Sequence, residues 1–173
     1  MILHLSVILL SGAACVTDLR WRRIPNLMVL SGLCAGFALN AWAGGLLGLG
    51  RSFLGAALGL VLFLPFFALG GMGAGDVKLL AALGALLGPL DLLWVALTAA
   101  LAGGLLALAA AAWQRRLLAT FRAVGGLLSF WISGGLRPAY EWSLENPTTL
   151  KIPYALPLAV GAWVMVLARW SAP

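Results

Sequence analysis

Two of the five acidic residues, Asp18 and Asp76, border long apolar runs instead of lying in polar loops. A charged side chain at mid-bilayer costs about 2.5–3.5 kcal/mol on insertion scales, so a carboxylate at the edge of such a run usually has a function. Two neighbouring carboxylates do not both ionise easily, and one of them can hold a proton while the other acts as a base. That division of roles activates water for peptide hydrolysis. We therefore ask whether Asp18 and Asp76 meet and form a hydrolytic pair.

Asp76 stands in a glycine-rich segment, residues 70–78 (GGMGAGDVK). Gly73 and Gly75 carry no side chains, so an extended substrate backbone could approach Asp76, and both residues tolerate positive φ at a turn. Simpler interpretations stay open at this point. Asp76 can be the N-cap of a helix, and Asp18 can be a helix-terminal residue paired with Arg22.

The composition decides the class of protein. The chain has 173 residues, of which 63% are hydrophobic and 9% are charged. Because soluble domains are about one quarter charged, this composition predicts a polytopic, all-α membrane protein, in which residues 1–173 form a single domain. The net charge of +6 comes from short basic clusters between apolar runs, so the predicted partner is the lipid bilayer and not nucleic acid.

No cofactor or metal site is predicted. The two cysteines, Cys15 and Cys34, lie inside apolar runs without the spacing of metal ligands, and we interpret them as packing residues. Among the other polar residues, Asn40 is predicted to hydrogen-bond between helices. Asp91, Glu141 and Glu145 are predicted to be solvated in loops.

The apolar runs predict six transmembrane helices with both termini outside. We place the spans at residues 2–16, 27–43, 52–69, 77–88, 92–113 and 152–170, with external turns at 44–51 and 88–91. Nine of the eleven Lys and Arg residues then lie inside, as the positive-inside rule requires; only Arg51 and Arg169 lie outside. Both Asp18 and Asp76 fall on the cytoplasmic side.

Two further features concern the cytoplasmic side. Residues 114–122 form a basic amphipathic stretch that fits the membrane surface, and residues 124–136 are too short for a span of about 20 residues, so we predict an interfacial or re-entrant segment. The first and fourth spans are also short. Their short lengths suggest a water-filled notch with one aspartate on each wall.

Two segments together resemble the type IV prepilin peptidase family, which are membrane aspartyl proteases with a GxGD motif. The segments are residues 18–26 (DLRWRRIPN) and residues 73–84 (GAGDVKLLAALG), and residues 151–157 (KIPYALP) are similar to a third, weaker signature. The resemblance implies that Asp18 and Asp76 are the catalytic pair. It implies a prepilin or pseudopilin substrate, cut at the cytoplasmic face of the inner (plasma) membrane after the glycine that ends its leader.

The same resemblance suggests which residues lie beside the substrate. These are the motif residues Gly73, Gly75, Lys78, Pro25, Asn26 and Pro153. Lys78 can orient Asp76, bind a substrate carboxylate, or only extend to the membrane surface.

The chain differs from the larger family members, which add a cytoplasmic domain with zinc-binding cysteine pairs and also methylate the new N-terminus. The loop of residues 20–26 is too short for that domain and has no cysteine pair. The resemblance is therefore to the minimal peptidases of tight-adherence (Flp) pilus systems. The oligomeric state stays open.

Two other functions fit the sequence. A small proton- or cation-coupled transporter could use the same aspartates, with a discontinuous fourth helix as its binding element. A non-catalytic subunit of a secretion machine would need neither aspartate. The presence of both aspartate motifs in order favours the peptidase.

Overall fold

Helices make up all the regular structure in the described part of the chain. The structure is a computed structural model, and it describes residues 1–69, 71–115, 117–134 and 153–171. Its helices are α1 (Ile2–Trp21), α2 (Asn26–Ala68), α3 (Ala74–Leu87), α4 (Pro89–Trp113), α5 (Leu117–Gly134) and α6 (Ala155–Ser171). Among these residues, α1, α2 and α4 are long and apolar enough to cross a membrane, and α6 is a shorter apolar helix. The predicted all-α class is confirmed.

Helix α2 reverses direction at Gly45. This residue has φ 59° and ψ −140°, a conformation that glycine adopts without the steric cost of a Cβ. On one side of the break Asn40 reaches Ala85, and on the other side Ser52 reaches the same residue. The two halves of α2, residues 26–44 and 46–68, therefore form an antiparallel pair. The reversal lies within the predicted turn at residues 44–51. The sequence predicts an eight-residue turn, whereas in the structure the chain reverses at the single residue Gly45 and the flanking residues are helical.

Helix α3 lies at the centre of the molecule. Every residue from 79 to 87 is buried, because α3 packs between the two halves of α2 and also contacts α1, α4 and α6. Its contact with the second half of α2 is closest where Gly55 faces Gly84, since a Cβ on either would overlap the backbone of the other. A helix of 14 residues, about 21 Å long, is thus held on several sides.

Side chains from α2 satisfy the last carbonyl groups of α3. The Asn40 amide donates to the carbonyl oxygens of Ala85 (2.9 Å) and Leu86 (3.2 Å). The Ser52 hydroxyl donates to Ala85 (2.6 Å), and the Arg51 guanidinium donates to Leu87 (3.2 Å). Carbonyls at a helix C-terminus have no partner within the helix and are costly to bury unpaired. The interhelical hydrogen bond predicted for Asn40 is confirmed.

Helix α6 runs antiparallel to both α1 and α4. Its Trp163 indole donates to the Ser11 hydroxyl of α1 at 2.9 Å, and its Arg169 pairs with Asp91 of α4. Apart from α5, successive helical segments therefore alternate in direction. We call the end that holds the last turn of α1 and the first turns of α3 and α6 the Asp18 end. The opposite end, which holds the break in α2 and the first turn of α4, is the Asp91 end.

The prediction that Asp91 is solvated in a loop is wrong. Helix α4 begins at Pro89, so Asp91 lies in its first turn and is only 7% exposed. The Asp91 carboxylate pairs with Arg169 at 2.5 Å and with Arg51 at 3.7 Å. Because cations from α2 and α6 meet the carboxylate there, burial does not leave it unpaired.

The remaining predictions concern α5 and α1. One helix, α5, includes residues of both the amphipathic stretch and the predicted interfacial segment, and it packs against α4. Helix α1 continues for 20 residues to Trp21, so the first span is not short as predicted, because the helix includes the polar residues after the apolar run. Residues 135–152, with Glu141, Glu145 and Lys151, lie outside the described residues.

Candidate active site

Asp18 lies in the last turn of α1, and its side chain is half-buried. The helix ends after Trp21 at Arg22, whose left-handed conformation (φ 52°) lets its N–H donate to the Asp18 backbone carbonyl at 2.8 Å. The Asp18 carboxylate accepts a hydrogen bond of 3.4 Å from the backbone N–H of Ala155, the first residue of α6. Asp18 thus contacts the N-terminus of another helix, where exposed N–H groups favour an anion.

Asp76 lies in the first turn of α3 and is also half-buried. The N-cap of α3 is Gly73, with φ −75° and ψ 145°, and not Asp76. The N-cap interpretation of Asp76 is therefore wrong. The chain reaches the helical conformation three residues earlier, because Gly73 takes the extended conformation of a cap.

The two aspartates lie at the same end of the bundle. Gly75, next to Asp76, lies against Ile24 in the link that follows α1, and the Ala155 N–H at the start of α6 reaches Asp18. Tyr154 immediately precedes Ala155, the residue that contacts Asp18. The first turn of α6 therefore completes a site whose other walls are the end of α1 and the start of α3.

Tyr154 lies at the site but was not among the predicted site residues. Its ring packs edge-on against Phe63 of α2, with centroids 5.7 Å apart, and it also lies against Gly103 of α4. These contacts hold the phenol between α2 and α4. Its place in residues 151–157, the third and weaker segment of the family resemblance, is the one feature of the sequence that points to a role at the site. That segment alone does not indicate which residue it lies near.

Gly73 and Gly75 have different surroundings. A Cβ on Gly73 would lie 3.2 Å from a carboxylate oxygen of Asp76, so any side chain there would crowd the carboxylate. A Cβ on Gly75 would lie 3.3 Å from Cβ of Ile24, in the link between α1 and α2. The space beside Gly75 is thus filled by Ile24 instead of being open. Neither glycine has positive φ, because the turn is made without a left-handed residue there.

The structure joins two of the other predicted site residues to each other. The Lys78 ammonium donates to the side-chain oxygen of Asn26 at 3.0 Å, so Lys78 contacts the start of α2 and not Asp76. Pro25 is the N-cap of α2, and its carbonyl accepts the N–H groups of Met28 and Val29. These residues lie beside the aspartate site, on the side of α3 that faces α2.

Pro153 stands just before α6. Its carbonyl accepts the N–H of Leu156 at 3.3 Å, which begins the first turn of that helix. Pro153 thereby helps to place Tyr154 and Ala155 at the start of α6, and only Tyr154 separates it from the residue whose N–H contacts Asp18.

Fold and site together define a helical membrane protein with two carboxylates at one end of its bundle. The sequence model of the type IV leader peptidase family matches residues 5–108, which include Asp18 and Asp76 and all of helices α2 and α3. That segment is more than half of the chain, and the chain belongs to the type IV leader peptidase family. The family identifies it as a peptidase, and the resemblance found in the sequence is confirmed. Comparisons with curated proteins and with solved structures gave no significant match.

Proposed function

We propose that the chain is an aspartic endopeptidase that removes the leader peptide from type IV prepilins or pseudopilins at the cytoplasmic face of the inner membrane. Asp18 and Asp76 are the catalytic pair. The observation that supports this proposal is that α1 ends and α3 begins at the same end of the bundle, so that Asp18 and Asp76 lie on the same side although they come from separate helices. The family supports a peptidase reaction, and two acids at one end of the bundle are what an aspartic mechanism needs.

In the proposed reaction the pair acts on a water molecule held between its carboxylates. The ionised aspartate takes a proton from the water, whose oxygen attacks the scissile carbonyl carbon. The protonated aspartate donates a hydrogen bond to the carbonyl oxygen. As the tetrahedral intermediate breaks down, a proton passes to the departing amine, and the C–N bond opens. No cofactor is needed.

The dimensions of α3 support access from the Asp18 end. A helix of 14 residues is about 21 Å long, which is shorter than a hydrocarbon core of about 30 Å. Asp76 in its first turn can therefore lie below the membrane surface while remaining open to water on that side. A substrate helix can stay in the bilayer while its leader enters from the cytoplasm.

The finer part of the proposal concerns the subtype. We propose one membrane-embedded domain over residues 1–173, of the minimal tight-adherence (Flp) type, without methyl transfer. The support is the short link between α1 and α2, which runs only from Arg22 to Pro25 and leaves no room for an inserted domain. Gly73 and Pro153 are proposed to border the substrate because they lie next to Asp76 and next to the residues that reach Asp18. Pro25 and Asn26, at the start of α2, are proposed to border it by the family resemblance alone.

The test is cleavage of a candidate prepilin by the purified protein, read by mass spectrometry of the new N-terminus. Asp18→Asn and Asp76→Asn should each abolish cleavage while the protein stays inserted and folded. Asp91→Asn is the matched control, because it changes a carboxylate at the other end of the bundle and should retain cleavage. Cleavage near the wild-type rate in either site variant would sink the two-aspartate assignment.

The transporter interpretation gains no support from α3. That interpretation requires a break in the predicted fourth span, residues 77–88. In the structure this span belongs to α3, which is continuous from Ala74 to Leu87. The same assay separates the two functions, since a transporter would leave the prepilin uncut in every variant.

A further inference from the structure

A groove runs along the face of α3 that is turned away from Asp76. It lies between the two halves of α2, has a volume of about 680 Å³, and is lined almost entirely by apolar side chains. Its polar lining residues are Asn26 and Lys78, both near the Asp18 end. The apolar lining includes Leu30, Leu33, Phe37, Phe53, Ala57 and Ala81.

The groove is separate from the aspartate site. Lys78 follows Asp76 by two residues, so the two side chains point about 200° apart around α3. Leu30 and Phe53 on the groove walls are well exposed, at 55% and 64%. In a membrane-embedded bundle this surface faces lipid, and the groove is open to it.

The polar end of the groove carries an unneutralised cation. Lys78 is exposed and donates to a neutral partner, the Asn26 amide oxygen, at 3.0 Å. Within the part of the chain that the structure describes, the ion pairs found involve only Asp91 and its two arginines, so Lys78 has no carboxylate there. The exposed Arg23, close by at the start of α2, adds positive charge to the same end. An ammonium group and an amide N–H₂ together suit a phosphate.

The size of the groove fits one thin chain. From Asn26 to Phe37 the first half of α2 rises about 16 Å, which is about half of a hydrocarbon core of about 30 Å and so the depth of one leaflet. Spread over that length, the volume of 680 Å³ corresponds to a cross-section of about 40 Å². An α-helix about 10 Å wide has a cross-section of about 80 Å², larger than that of the groove, so an acyl chain fits the groove more closely than a helix.

We propose that this groove binds one anionic phospholipid of the leaflet on the Asp18 side. An acyl chain lies along the apolar walls between the halves of α2, and the headgroup phosphate is bound by Lys78 and the amide of Asn26. The proposal rests on the membrane location of the chain and not on its peptidase activity. Bound in this way, the lipid closes the gap between the two halves of α2 that hold α3.

The test uses the whole protein in nanodiscs with a phospholipid that carries a photoreactive diazirine in its acyl chain. Phosphatidylglycerol is compared with phosphatidylcholine, and cross-linked peptides are mapped by mass spectrometry. Phosphatidylglycerol should label the groove residues, Leu33 and Phe53 among them, about fivefold more than phosphatidylcholine, since one lysine near the membrane surface attracts an anionic lipid to about that extent. Equal labelling by the two lipids would overturn the proposal.

Four variants make the test specific. Lys78→Gln should remove the preference for phosphatidylglycerol, and Lys78→Arg should keep it. Ala57→Phe should fill the groove and lower its labelling by both lipids. Arg20→Gln is the control, because Arg20 is exposed at the same end but lies over Trp21, outside the groove. Loss of the preference in Arg20→Gln to the same degree as in Lys78→Gln would show a general surface charge effect and overturn the site.

A competing occupant is tested in the same samples. A synthetic transmembrane peptide with the sequence of a prepilin helix is added at increasing concentration. Labelling of the groove should persist while the peptide is present. Displacement of the lipid from the groove by the peptide would show that a helix occupies the surface and would overturn the proposal. Size-exclusion profiles and thermal unfolding of each variant confirm that the compared proteins are folded.

Discussion

The backbone N–H of Ala155 donates to the carboxylate of Asp18 at 3.4 Å, across 137 residues of sequence. This contact brings the first turn of α6 onto the last turn of α1. It also places Tyr154, the preceding residue, where its hydroxyl and the charge of Asp76 interact. The candidate site is therefore assembled from three helices, of which the third lies outside the segment matched by the family.

The hydroxyl of Tyr154 is predicted to contribute to cleavage. Tyr154→Phe keeps the ring and its edge-on contact with Phe63 at 5.7 Å, but removes the hydroxyl beside Asp76. We expect kcat for prepilin cleavage to fall by about fivefold, the effect of losing one polar interaction of about 1 kcal/mol, with the melting temperature unchanged. Kinetics with a saturating substrate and a thermal unfolding curve measure the two quantities. A wild-type kcat would exclude the hydroxyl from the site.

Gly73 is predicted to be required for the position of the Asp76 carboxylate. In Gly73→Ala the new Cβ would lie 3.2 Å from Oδ2 of Asp76, so the carboxylate must move by a few tenths of an ångström. We expect cleavage to fall at least about tenfold, because a shift of 1 Å in a reacting group can cost about a hundredfold. Gly104→Ala is the control, since its Cβ would meet no atom within 4 Å. Equal activities of the two variants would contradict the prediction.

The hydrogen bonds at the C-terminus of α3 are predicted to stabilise the fold. Ser52→Ala removes the fully buried hydroxyl that donates to the Ala85 carbonyl at 2.6 Å. We expect the free energy of unfolding to fall by about 0.5–1.5 kcal/mol, the net contribution of one hydrogen bond, because the Ala85 carbonyl still accepts from the Asn40 amide. Ser31→Ala is the control on the same helix, because its exposed hydroxyl bonds only within α2. Denaturant unfolding of the purified variants measures the free energy of unfolding of each. An equal decrease in both variants would show that the Ser52 hydrogen bond does not stabilise the fold more than the exposed one.

The two ends of the bundle are predicted to lie on opposite sides of the membrane. In a background where Cys15 and Cys34 are replaced by Ala, single cysteines are placed at Arg23 and Ala74, both exposed at the Asp18 end, and at Leu46, exposed at the Asp91 end. A membrane-impermeant maleimide should label the first two only from the cytoplasmic side and the third only from outside. Position 75 is avoided because Ile24 lies against it. Labelling of all three from one side would overturn the arrangement.

Much of the candidate site could be predicted from the sequence. Asp18 and Asp76 were identifiable because carboxylates are rare and costly beside apolar runs, and the positive-inside rule placed both on one side. The helical class followed from the same composition. The N-cap at Gly73 and the full length of α1 were not predictable to within a few residues, since helix ends depend on local contacts as well as on composition.

Three features depended on distant contacts and could not be read from the sequence. Asp91 looked like a loop residue, but arginines from α2 and α6 meet it and it is buried. The sequence left three roles open for Lys78, and its hydrogen bond to Asn26 at the start of α2 was not among them. Tyr154 carried no signal strong enough to select it, although it lies beside the aspartates.

The sequence by itself determined that this is a helical membrane protein and predicted two acids near one membrane face, because hydrophobicity and charge act locally along the chain. Only the tertiary structure decided what surrounds those acids. Helix packing determines which face of α3 contacts α1 and α6 and which face lines the groove. This orientation depends on the close contact between Gly55 and Gly84 and on the α2 side chains that donate to the last carbonyl groups of α3. Such contacts join residues far apart in sequence, and no local pattern specifies them.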